Sequence, residues 1–536
     1  MNRAKEVTYY NDRYKGSLSE DVCDAVEQLL ELDSENGEVT DLKHYIYNMS
    51  DSDVTDYIET MDAFGSCFKE YNKPFGTLRD EQTVGIALMY YVGNCILGDS
   101  VGMGKTVEVA GLCNLLKNEY KQRGKSFRYL LLTEKNLADQ VRSEMVKFTA
   151  DYTTLIPSGE KDVIDYFTRN NPFDEELKYS VVGTHALFTT SGFLAWLEQA
   201  RTYGKGFPFD MLIVDESSPL GGKTTNNIVQ GFKNIKKYFK RIVFLNATPF
   251  ESKLEIFFNQ LNLLDDKYLP TKTNFQKQYV VMDYRGMYPK PTGRYKNQAE
   301  FKRLIGYRYF ARTRRDKGAV MEDCKGGIVY SPLSKIQKEW LEKTQLNRMV
   351  YDCPTYFDDT IDFCIENVPK LGSLNNLLLN DCADADSILI FSHFKETQAH
   401  LSRWLSNKGY SNRVLNGETK DTDRANIIKG FKNKEYKILI TNVQKGLNFG
   451  DCNYCIFFSF DPNPSKMIQF EGRTTRSFDI IGKNVYILCS LGKEKRQLLD
   501  VVRQRAKATS DMTNTDLSVV MSILLGDDYN ENNKEE

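Results

Sequence analysis

The segment whose residue types and spacing indicate the clearest chemistry is NCILGDSVGMGKTVEVAGLCNLL, which starts at Asn94. An apolar run, a turn with glycines and a helix-like stretch follow one another there, which is the order found in phosphate-binding loops. Backbone N–H groups at the glycines would surround phosphates, the lysine would reach the β and γ phosphates, and the threonine hydroxyl would bind Mg²⁺. The residues expected to contact ATP are Asp99, Ser100, Val101, Gly102, Met103, Gly104, Lys105 and Thr106. Asp99 replaces the first glycine of the GxxxxGK[ST] pattern, and a structural GxGKT turn is the alternative interpretation.

Two adjacent acids end the apolar run MLIVDESS, which starts at Met211. A nucleotide hydrolase needs one carboxylate for its metal ion and one group that orients the attacking water. We assign Asp215 to Mg²⁺ and Glu216 to the water. Two acids after a strand also occur in ordinary solvent-facing turns, so the assignment depends on the presence of Lys105.

Two arginines three residues apart occur in MIQFEGRTTR, where Gln469, Gly472, Arg473 and Arg476 fit the spacing QxxGRxxR. Residues at this spacing share one side of a helix. Fixed guanidinium groups neutralise the charge that develops on a transferring phosphate, which is the arginine-finger role. A salt-bridged helix face is the alternative. The residues predicted to act in catalysis are Lys105, Asp215, Glu216, Gln469, Arg473 and Arg476.

The elements that must position these residues recur along the chain as short apolar runs separated by helix-length stretches. The runs start at Tyr129, Tyr179, Met211 and Arg241, and again at Ser387, Asn412, Tyr436, Tyr454 and Asn484. Continuous apolar runs are typical of strands buried on both faces of a parallel sheet. The pattern predicts two α/β lobes.

Three regions depart from this rhythm. Residues 1 to 62 hold sixteen acidic and five basic residues, residues 267 to 317 hold fourteen basic and three acidic residues, and the chain ends in DDYNENNKEE. We therefore predict a small, mainly helical acidic accessory domain (1–76), lobe 1 with the ATP motifs (77–264), a basic inter-lobe segment (265–335), lobe 2 (336–510), and a C-terminal helix with a disordered tail (511–536).

Composition excludes several classes of protein. The 536 residues suffice for roughly three or four domains, with 41% apolar and 27% charged residues as in ordinary globular proteins. A net charge of −2 means that any polyanionic partner must meet a local basic patch. With neither a secretory signal nor an apolar run of about 18 residues, we expect a soluble intracellular protein. Cys452 and Cys455 are interpreted as core cysteines, and the four histidines show no ligand-like spacing.

With these motifs the chain resembles superfamily-two helicase-type motors and, within them, the Swi/Snf-like DNA translocases, over roughly residues 77 to 510. TLRDEQ resembles the adenine-side motif, with Gln82 as the glutamine that reads the base. LLLTEKNLADQVRSEMVKF resembles motif Ia, and VVGTHALF resembles motif Ib. LNATPFESKLEIFFNQLNLL resembles the extended motif III, which favours Swi/Snf-like proteins over a generic helicase.

Further segments continue the resemblance in the expected order. YFARTRRDKG resembles the basic segment before the second lobe, ILIFSHFKETQAHLSRWLSNKGY resembles motif IV, and ITNVQKGLNFGDCNYCIFFSFDPNPSKMIQFEGRTTR resembles motifs V and VI. The resemblance implies two RecA-like lobes that hold ATP and Mg²⁺ between them. It also implies that Thr248, Thr441 and Gly446 couple the ATP cleft to DNA, and that Thr184, Arg312, Arg314 and Arg315 contact DNA phosphates.

The sequence also departs from the family pattern. Motif II reads DESS, with Ser218 where a histidine or related residue is usual, and motif V has Gln444 and Lys445 where small residues are typical. None of these changes removes a group that hydrolysis needs. Their effect is therefore expected on the coupling between hydrolysis and lobe movement.

The function expected from these features is ATP-dependent translocation along double-stranded DNA that displaces or remodels bound proteins, for example a polymerase complex. A monomeric motor without a membrane partner is expected. It would lie in the cytoplasm, at the nucleoid, or in the host cytoplasm if the gene is viral. Two alternatives stay open: a strand-separating DNA or RNA helicase, and a non-catalytic DNA-binding scaffold with a motor fold.

Overall fold

The computed structural model describes residues 80–149, 153–155, 180–202, 209–222, 225–250, 253–264, 269–285, 288–305, 308–314, 319–344, 347–443, 449, 452–474, 479–512 and 517–526. The chain divides between residues 318 and 319 into two compact units. The predicted acidic domain of residues 1–76 lies outside the described residues, as do Arg315, Gly446 and Arg476.

The first unit is built on a parallel seven-stranded sheet. Its strands are β1 (Cys95–Leu97), β2 (Tyr129–Thr133), β3 (Thr153–Leu155), β4 (Ser180–Thr184), β5 (Met211–Asp215), β6 (Arg241–Leu245) and β9 (Tyr309–Phe310), in the order β3-β4-β2-β5-β6-β1-β9. Every neighbouring pair in this sheet is parallel. A separate antiparallel hairpin is formed by β7 (Val280–Asp283) and β8 (Lys290–Tyr295).

Helices connect these strands, as parallel pairing requires. They are α1 (Asp80–Val92), α2 (Lys105–Gln122), α3 (Ala138–Thr149), α4 (Ser191–Thr202), α5 (Asn227–Lys236), α6 (Leu254–Leu264), α7 (Lys272–Tyr279) and α8 (Gln298–Ile305). Strand β2 shows why its apolar run is continuous. Leu130 and Leu132 pack into one core cluster, and Tyr129 and Leu131 pack into the other. The predicted α/β fold with buried parallel strands is confirmed.

The basic segment does not form the separate inter-lobe piece that its charge had suggested. Phe275, Tyr279 and Phe301 pack into the core cluster of the first unit. Tyr309 and Phe310 form edge strand β9 beside β1, and both are buried. Residues 269–314, where described, therefore belong to the first unit. The aromatic rings outweigh the charges because burying each ring removes a large apolar area from water.

The second unit is built on a parallel six-stranded sheet. Its strands are β11 (Lys325–Ser331), β12 (Ile388–Phe391), β13 (Asn412–Leu415), β14 (Ile438–Thr441), β15 (Tyr454–Phe457) and β17 (Asn484–Ser490), in the order β11-β17-β15-β12-β14-β13. A short parallel pair joins β10 (Met321–Glu322) to β16 (Ile480–Ile481). Strand β11 comes from the segment that had been predicted to lie between the lobes, so lobe 2 starts earlier than residue 336.

The helices of this unit are α9 (Lys335–Lys343), α10 (Met349–Asp352), α11 (Lys370–Leu379), α12 (Lys395–Asn407), α13 (Asp421–Lys432), α14 (Pro464–Glu471), α15 (Asp500–Met512) and α16 (Val519–Leu525). Cys452 and Cys455 lie in the hydrophobic core of this unit, as predicted. No helix within the described ranges has both the length and the apolar character needed to cross a bilayer.

Candidate nucleotide-hydrolysis site

The loop between β1 and α2 has the backbone geometry of a phosphate cradle. Gly102 has φ 89° and Gly104 has φ 96°, a region that residues with a side chain rarely adopt. Helix α2 starts at Lys105 and continues for 18 residues, so the N-terminal end of the helix borders this loop. A helix N-terminus carries partial positive charge, which favours a bound phosphate.

Two side chains contact the backbone of this loop. The Lys105 ammonium donates to the carbonyl oxygens of Asp99, at 2.5 Å, and of Ser100, at 3.2 Å. Burial lowers the pKa of Lys105, while the charges of Asp99, Glu216 and Asp215 oppose that shift. The Gln82 amide donates to the carbonyl oxygen of Met103 at 3.1 Å. That Gln82 reads the adenine base remains a prediction.

Asp215 ends β5 in a polar environment made by neighbouring strands. The Thr133 hydroxyl, at the end of β2, donates to its carboxylate at 2.8 Å. Burial and the charge of Glu216 raise the pKa of Asp215 to about 6, although Thr133 and Lys105 favour the charged form. The structure thus places the acid pair and the loop lysine close enough to interact electrostatically. A divalent cation at Asp215 would compensate for this concentration of negative charge.

Glu216 follows β5 with a left-handed backbone, φ 49°. This conformation costs a residue with a side chain roughly 1–2 kcal/mol. Such strain persists where the surrounding structure fixes the chain, and it is enriched at functional sites.

Arg312 corrects one of the sequence predictions. Its guanidinium is 3% exposed and donates to both Asp99, at 2.5 Å, and Glu108, at 2.6 Å. Both carboxylates are fully buried, and burial raises the pKa of Glu108 well above its usual range although Arg312 opposes the shift. The sequence predicted that Arg312 contacts DNA phosphates. The structure instead buries its charge against two carboxylates, so Arg312 does not present that charge to DNA. It joins β9 to the start of the phosphate loop and the first turn of α2.

A buried polar network links motif II to motif III. The Ser217 hydroxyl donates to the Gln260 side chain on α6 at 2.7 Å. The Asn246 amide donates to the Ser218 hydroxyl at 3.1 Å and, more weakly, to Gln260 at 3.4 Å. The side-chain oxygen Oδ1 of Asn246 in turn accepts from the backbone N–H of Thr248 at 3.0 Å. Ser218 thus provides a contact between motifs II and III in this chain.

In the second unit, Gln469 lies on α14 and is 3% exposed, and Arg473 follows that helix. The backbone of Arg473 makes two hydrogen bonds of 3.1 Å. Its N–H donates to the carbonyl oxygen of Phe470, and its carbonyl oxygen accepts from the N–H of Phe449. Thr441 ends β14 and is fully buried. The catalytic and coupling roles assigned to these residues remain predictions.

Glu471, between Gln469 and Arg473, holds the C-terminal helix. Its carboxylate is 5% exposed and accepts from the backbone N–H groups of Val519, at 2.8 Å, and Val520, at 3.2 Å. The Ser518 hydroxyl donates to it at 2.5 Å. A carboxylate at the start of α16 satisfies donors that would otherwise lack a partner. Helix α16 is thereby fixed against the arginine-bearing motif.

The remaining predicted DNA contacts differ in exposure. Thr184 ends β4 and is 6% exposed, whereas Arg314 is half-buried. His185, next to Thr184, contacts the carbonyl oxygen of Asp215 at 2.8 Å through Nε2, so motif Ib directly adjoins motif II. The DNA contacts of Thr184 and Arg314 stay predictions.

The residues present fit ATP and Mg²⁺. The glycine conformations at the start of an 18-residue helix form a cradle for phosphates, and Thr106 lies in the first turn of that helix. Asp215 would supply the carboxylate for Mg²⁺. Across the described ranges, no group of three or more His, Cys, Asp or Glu side chains could hold a metal ion. Mg²⁺ itself usually binds one or two carboxylates together with water and substrate phosphates.

Sequence reasoning missed several residues that shape the site. Thr133 contacts Asp215, Glu108 contacts Arg312, and Gln260 contacts Ser217 beside the acid pair. The two residues of each pair are separated by a long stretch of chain. A signal did exist for Thr133, because it is the polar residue that ends an apolar strand next to β5. The partners of Gln260 and Glu108 follow only from the three-dimensional packing.

Among curated proteins, the chain is 24% identical over 427 residues to the Bacillus subtilis protein named uncharacterized ATP-dependent helicase YqhH, covering 72% of this chain and 70% of that protein. It is 23% identical over 457 residues to the zebrafish (Danio rerio) chromodomain-helicase-DNA-binding protein 1-like, covering 78% of this chain and 42% of that protein. The chain thus spans under half the length of the zebrafish relative.

Among solved structures, the Sulfolobus solfataricus SWI2/SNF2 ATPase core in complex with double-stranded DNA is similar at 17% identity, with a TM-score of 0.37. The similarity covers 81% of this chain and 94% of that chain.

Two family models match almost all of the region that carries the motifs. Residues 24–365 match the SNF2-related domain, and residues 369–478 match the helicase conserved C-terminal domain. The first match covers more than half of the chain and begins within the acidic N-terminal stretch. The second match contains Gln469, Arg473 and Arg476. The chain therefore belongs to the SNF2-related family of helicase-type ATPases.

Proposed function

We propose that this protein is a DNA-dependent ATPase that moves along double-stranded DNA and displaces proteins bound to it. The observation that supports this most is the arrangement of Lys105 at the start of α2, beside the Asp215 and Glu216 pair at the end of β5, in a chain of the SNF2-related family. The zebrafish relative is named for DNA binding.

The proposed roles follow from chemistry. Lys105 and the N–H groups of α2 bind the phosphates, Asp215 and Thr106 bind Mg²⁺, and Glu216 orients the attacking water. Mg²⁺, when bound, neutralises charge on the phosphates during transfer. Arg473 and Arg476 of the second unit stabilise the charge that develops in the transition state. A non-catalytic scaffold would have no use for this set of side chains.

Coupling and DNA contact are proposed for a second group of residues. Thr248 and Thr441, together with Gly446, relay the state of the nucleotide site to the DNA-binding surface. Contacts to phosphates give little sequence preference, which suits a motor that must step along any sequence. The protein is proposed to act as a monomer in the compartment that holds the DNA.

The proposal is tested by measuring phosphate release with Mg²⁺, with and without a blunt duplex. Hydrolysis should require Mg²⁺ and should rise on addition of duplex DNA. Lys105→Ala should weaken nucleotide binding. If the wild-type protein hydrolyses no ATP in either condition, the scaffold alternative is correct.

Strand separation is the second candidate function, because the hairpin β7–β8 carries two exposed tyrosines, Tyr284 and Tyr288. The two functions are distinguished by substrates. A duplex translocase displaces the third strand of a triplex but leaves a forked duplex intact. Efficient unwinding of the fork without triplex displacement would establish the helicase instead.

A further inference from the structure

The hairpin β7–β8 has a firmly packed base. Val280 at its start is 1% exposed and lies in the core of the first unit, and Met282 and Tyr295 pack against the same core. The Tyr295 ring meets Phe250 edge-on at 5.5 Å between centroids. Its hydroxyl accepts from the backbone N–H of Leu254 at 2.9 Å. The hairpin therefore has a rigid attachment next to motif III.

Exposure rises along the hairpin away from this base. Asp283 pairs across the strands with Lys290, and beyond that pair Tyr284 is 73% exposed and Tyr288 is 72% exposed. These are the two most exposed large hydrophobic side chains among the residues that the structure describes. Isolated exposed aromatic residues are common on protein surfaces, but here two highly exposed tyrosines lie four residues apart beyond the same strand pair.

The charge of the hairpin favours a polyanion. Residues 280–296 hold four basic residues and one acidic residue, a net charge of +3 in a chain whose total is −2. The single acid, Asp283, is bound by Arg285 in an exposed ion pair at 2.9 Å. Lys290, Arg294 and Lys296 are exposed. Aromatic faces beside such charges are the combination that binds single-stranded nucleic acid.

We propose that the hairpin β7–β8 binds unpaired nucleotides next to a duplex, by stacking their bases on Tyr284 and Tyr288 while its basic residues contact phosphates of the adjoining duplex. The partner is unpaired DNA because the faces of bases inside an intact duplex are already covered by their neighbours. This inference rests on the proposed function and adds a preference: the motor recognises a junction between duplex and single strand.

The test compares binding to three labelled DNAs: a blunt duplex, and the same duplex with a 3′ or a 5′ single-stranded tail. The full chain, Tyr284→Ala/Tyr288→Ala and Tyr284→Phe/Tyr288→Phe are titrated by fluorescence anisotropy. The wild type should bind at least one tailed duplex more tightly than the blunt one. The alanine pair should lose roughly ten- to hundredfold in affinity for that DNA, because alanine removes the stacking surface. Its affinity for the blunt duplex should stay within about twofold of the wild type.

The controls separate stacking from other effects. The phenylalanine pair keeps the ring faces and should bind as the wild type does. Tyr356→Ala, which removes a 54% exposed tyrosine from the second unit, should also bind as the wild type does. An alanine pair that binds all three DNAs like the wild type, or that loses affinity equally for all, would overturn the inference. Failure of the proposed function has a different signature, namely a wild-type protein whose ATP hydrolysis does not respond to the blunt duplex.

Discussion

At the scale of single residues, Arg312 tests whether a basic side chain serves stability or DNA binding. Arg312→Ala leaves Asp99 and Glu108 buried without their cation. Removing one partner of a buried ion pair typically costs about 3–5 kcal/mol. We therefore expect a loss of that size in the free energy of unfolding, measured by urea denaturation.

Arg294→Ala is the matched control, since Arg294 belongs to the same basic segment and is exposed. It should leave the unfolding free energy nearly unchanged and reduce the salt dependence of DNA binding by about 0.9 in the log–log slope. The buried ion pairs indicate that Arg312 stabilises the fold. A stable Arg312→Ala protein with weakened DNA binding would contradict that role.

Glu216 tests the assignment of the water-orienting group. Glu216→Gln keeps the shape of the side chain but removes its charge, so turnover should fall by about a hundredfold or more. Nucleotide affinity should be kept, because Lys105 and the first turn of α2 bind the phosphates. Phosphate release and nucleotide binding, measured side by side, check this. Turnover at the wild-type rate would show that another group orients the water.

At the scale of elements, Gly85 shows how closely α1 packs on the buried ion pair between Glu108 of α2 and Arg312. A Cβ atom at Gly85 would lie 2.1 Å from Oε2 of Glu108 and 2.3 Å from Nη2 of Arg312. Alanine inside a helix is normally more stable than glycine by about 1 kcal/mol. Here the clash with a buried ion pair should reverse the sign, with a net loss of about 1–3 kcal/mol.

Gly372→Ala in α11 is the control for Gly85→Ala, since the nearest atom to its added Cβ would be Cγ2 of Ile365 at 3.2 Å. Urea denaturation of the two variants should give a clear loss for Gly85→Ala and a small change for Gly372→Ala. Equal stability of both variants would mean that α1 can shift away from the ion pairs.

Tyr295 tests whether the hairpin communicates with the hydrolysis site. Its hydroxyl contacts the start of α6, and Gln260 on the same helix accepts from Ser217 beside the acid pair. Tyr295→Phe removes that hydroxyl, so the stimulation of ATP hydrolysis by DNA should fall by about two- to thirtyfold, the usual range for such couplings. DNA affinity and the basal rate should be kept.

Tyr279→Phe also removes one hydroxyl near the base of the hairpin, the donor to Glu300 at 3.2 Å. It should leave the stimulation by DNA unchanged. ATPase rates over a range of duplex concentrations compare the two variants. Equal stimulation in Tyr295→Phe and wild type would disconnect the hairpin from hydrolysis.

The elements were predictable where local pattern and burial agree. The apolar runs from Tyr129 and Met211 became buried parallel strands because each packs on both faces, and the glycines at Gly102 and Gly104 marked a loop that requires positive φ. The basic segment was misjudged, because its fourteen basic residues obscured aromatic residues that pack into the first unit. Arg312, Arg314 and Arg315 are three arginines within four residues, and the sequence gives no reason to expect different roles for them. The burial of Arg312 depends on Asp99 and Glu108, more than two hundred residues earlier, and no local pattern reveals such a pairing.

At the scale of the whole molecule, a chain with a net charge of −2 must attract DNA through a restricted surface. Since Arg312 is buried, that surface has to come from basic residues that reach water. Lys290, Arg294 and Lys296 are exposed on or beside β8. Each Lys or Arg contact to a phosphate releases condensed counterion and contributes about 0.9 to the slope of log affinity against log salt on duplex DNA.

Replacing Lys290, Arg294 and Lys296 together with alanine should therefore flatten that slope by up to about 2.7, three times the value for one contact. Affinity should fall alike for every duplex sequence, because phosphate contacts carry no base information. Titrations of a blunt duplex at several salt concentrations measure the slope. The control replaces three exposed lysines of the second unit, Lys338, Lys408 and Lys432, and removes the same total charge. A local contact makes the position of the three charges matter, whereas a general attraction depends only on the net charge of the protein. If both triple variants flatten the slope equally, the attraction to DNA therefore depends on net charge and not on this surface.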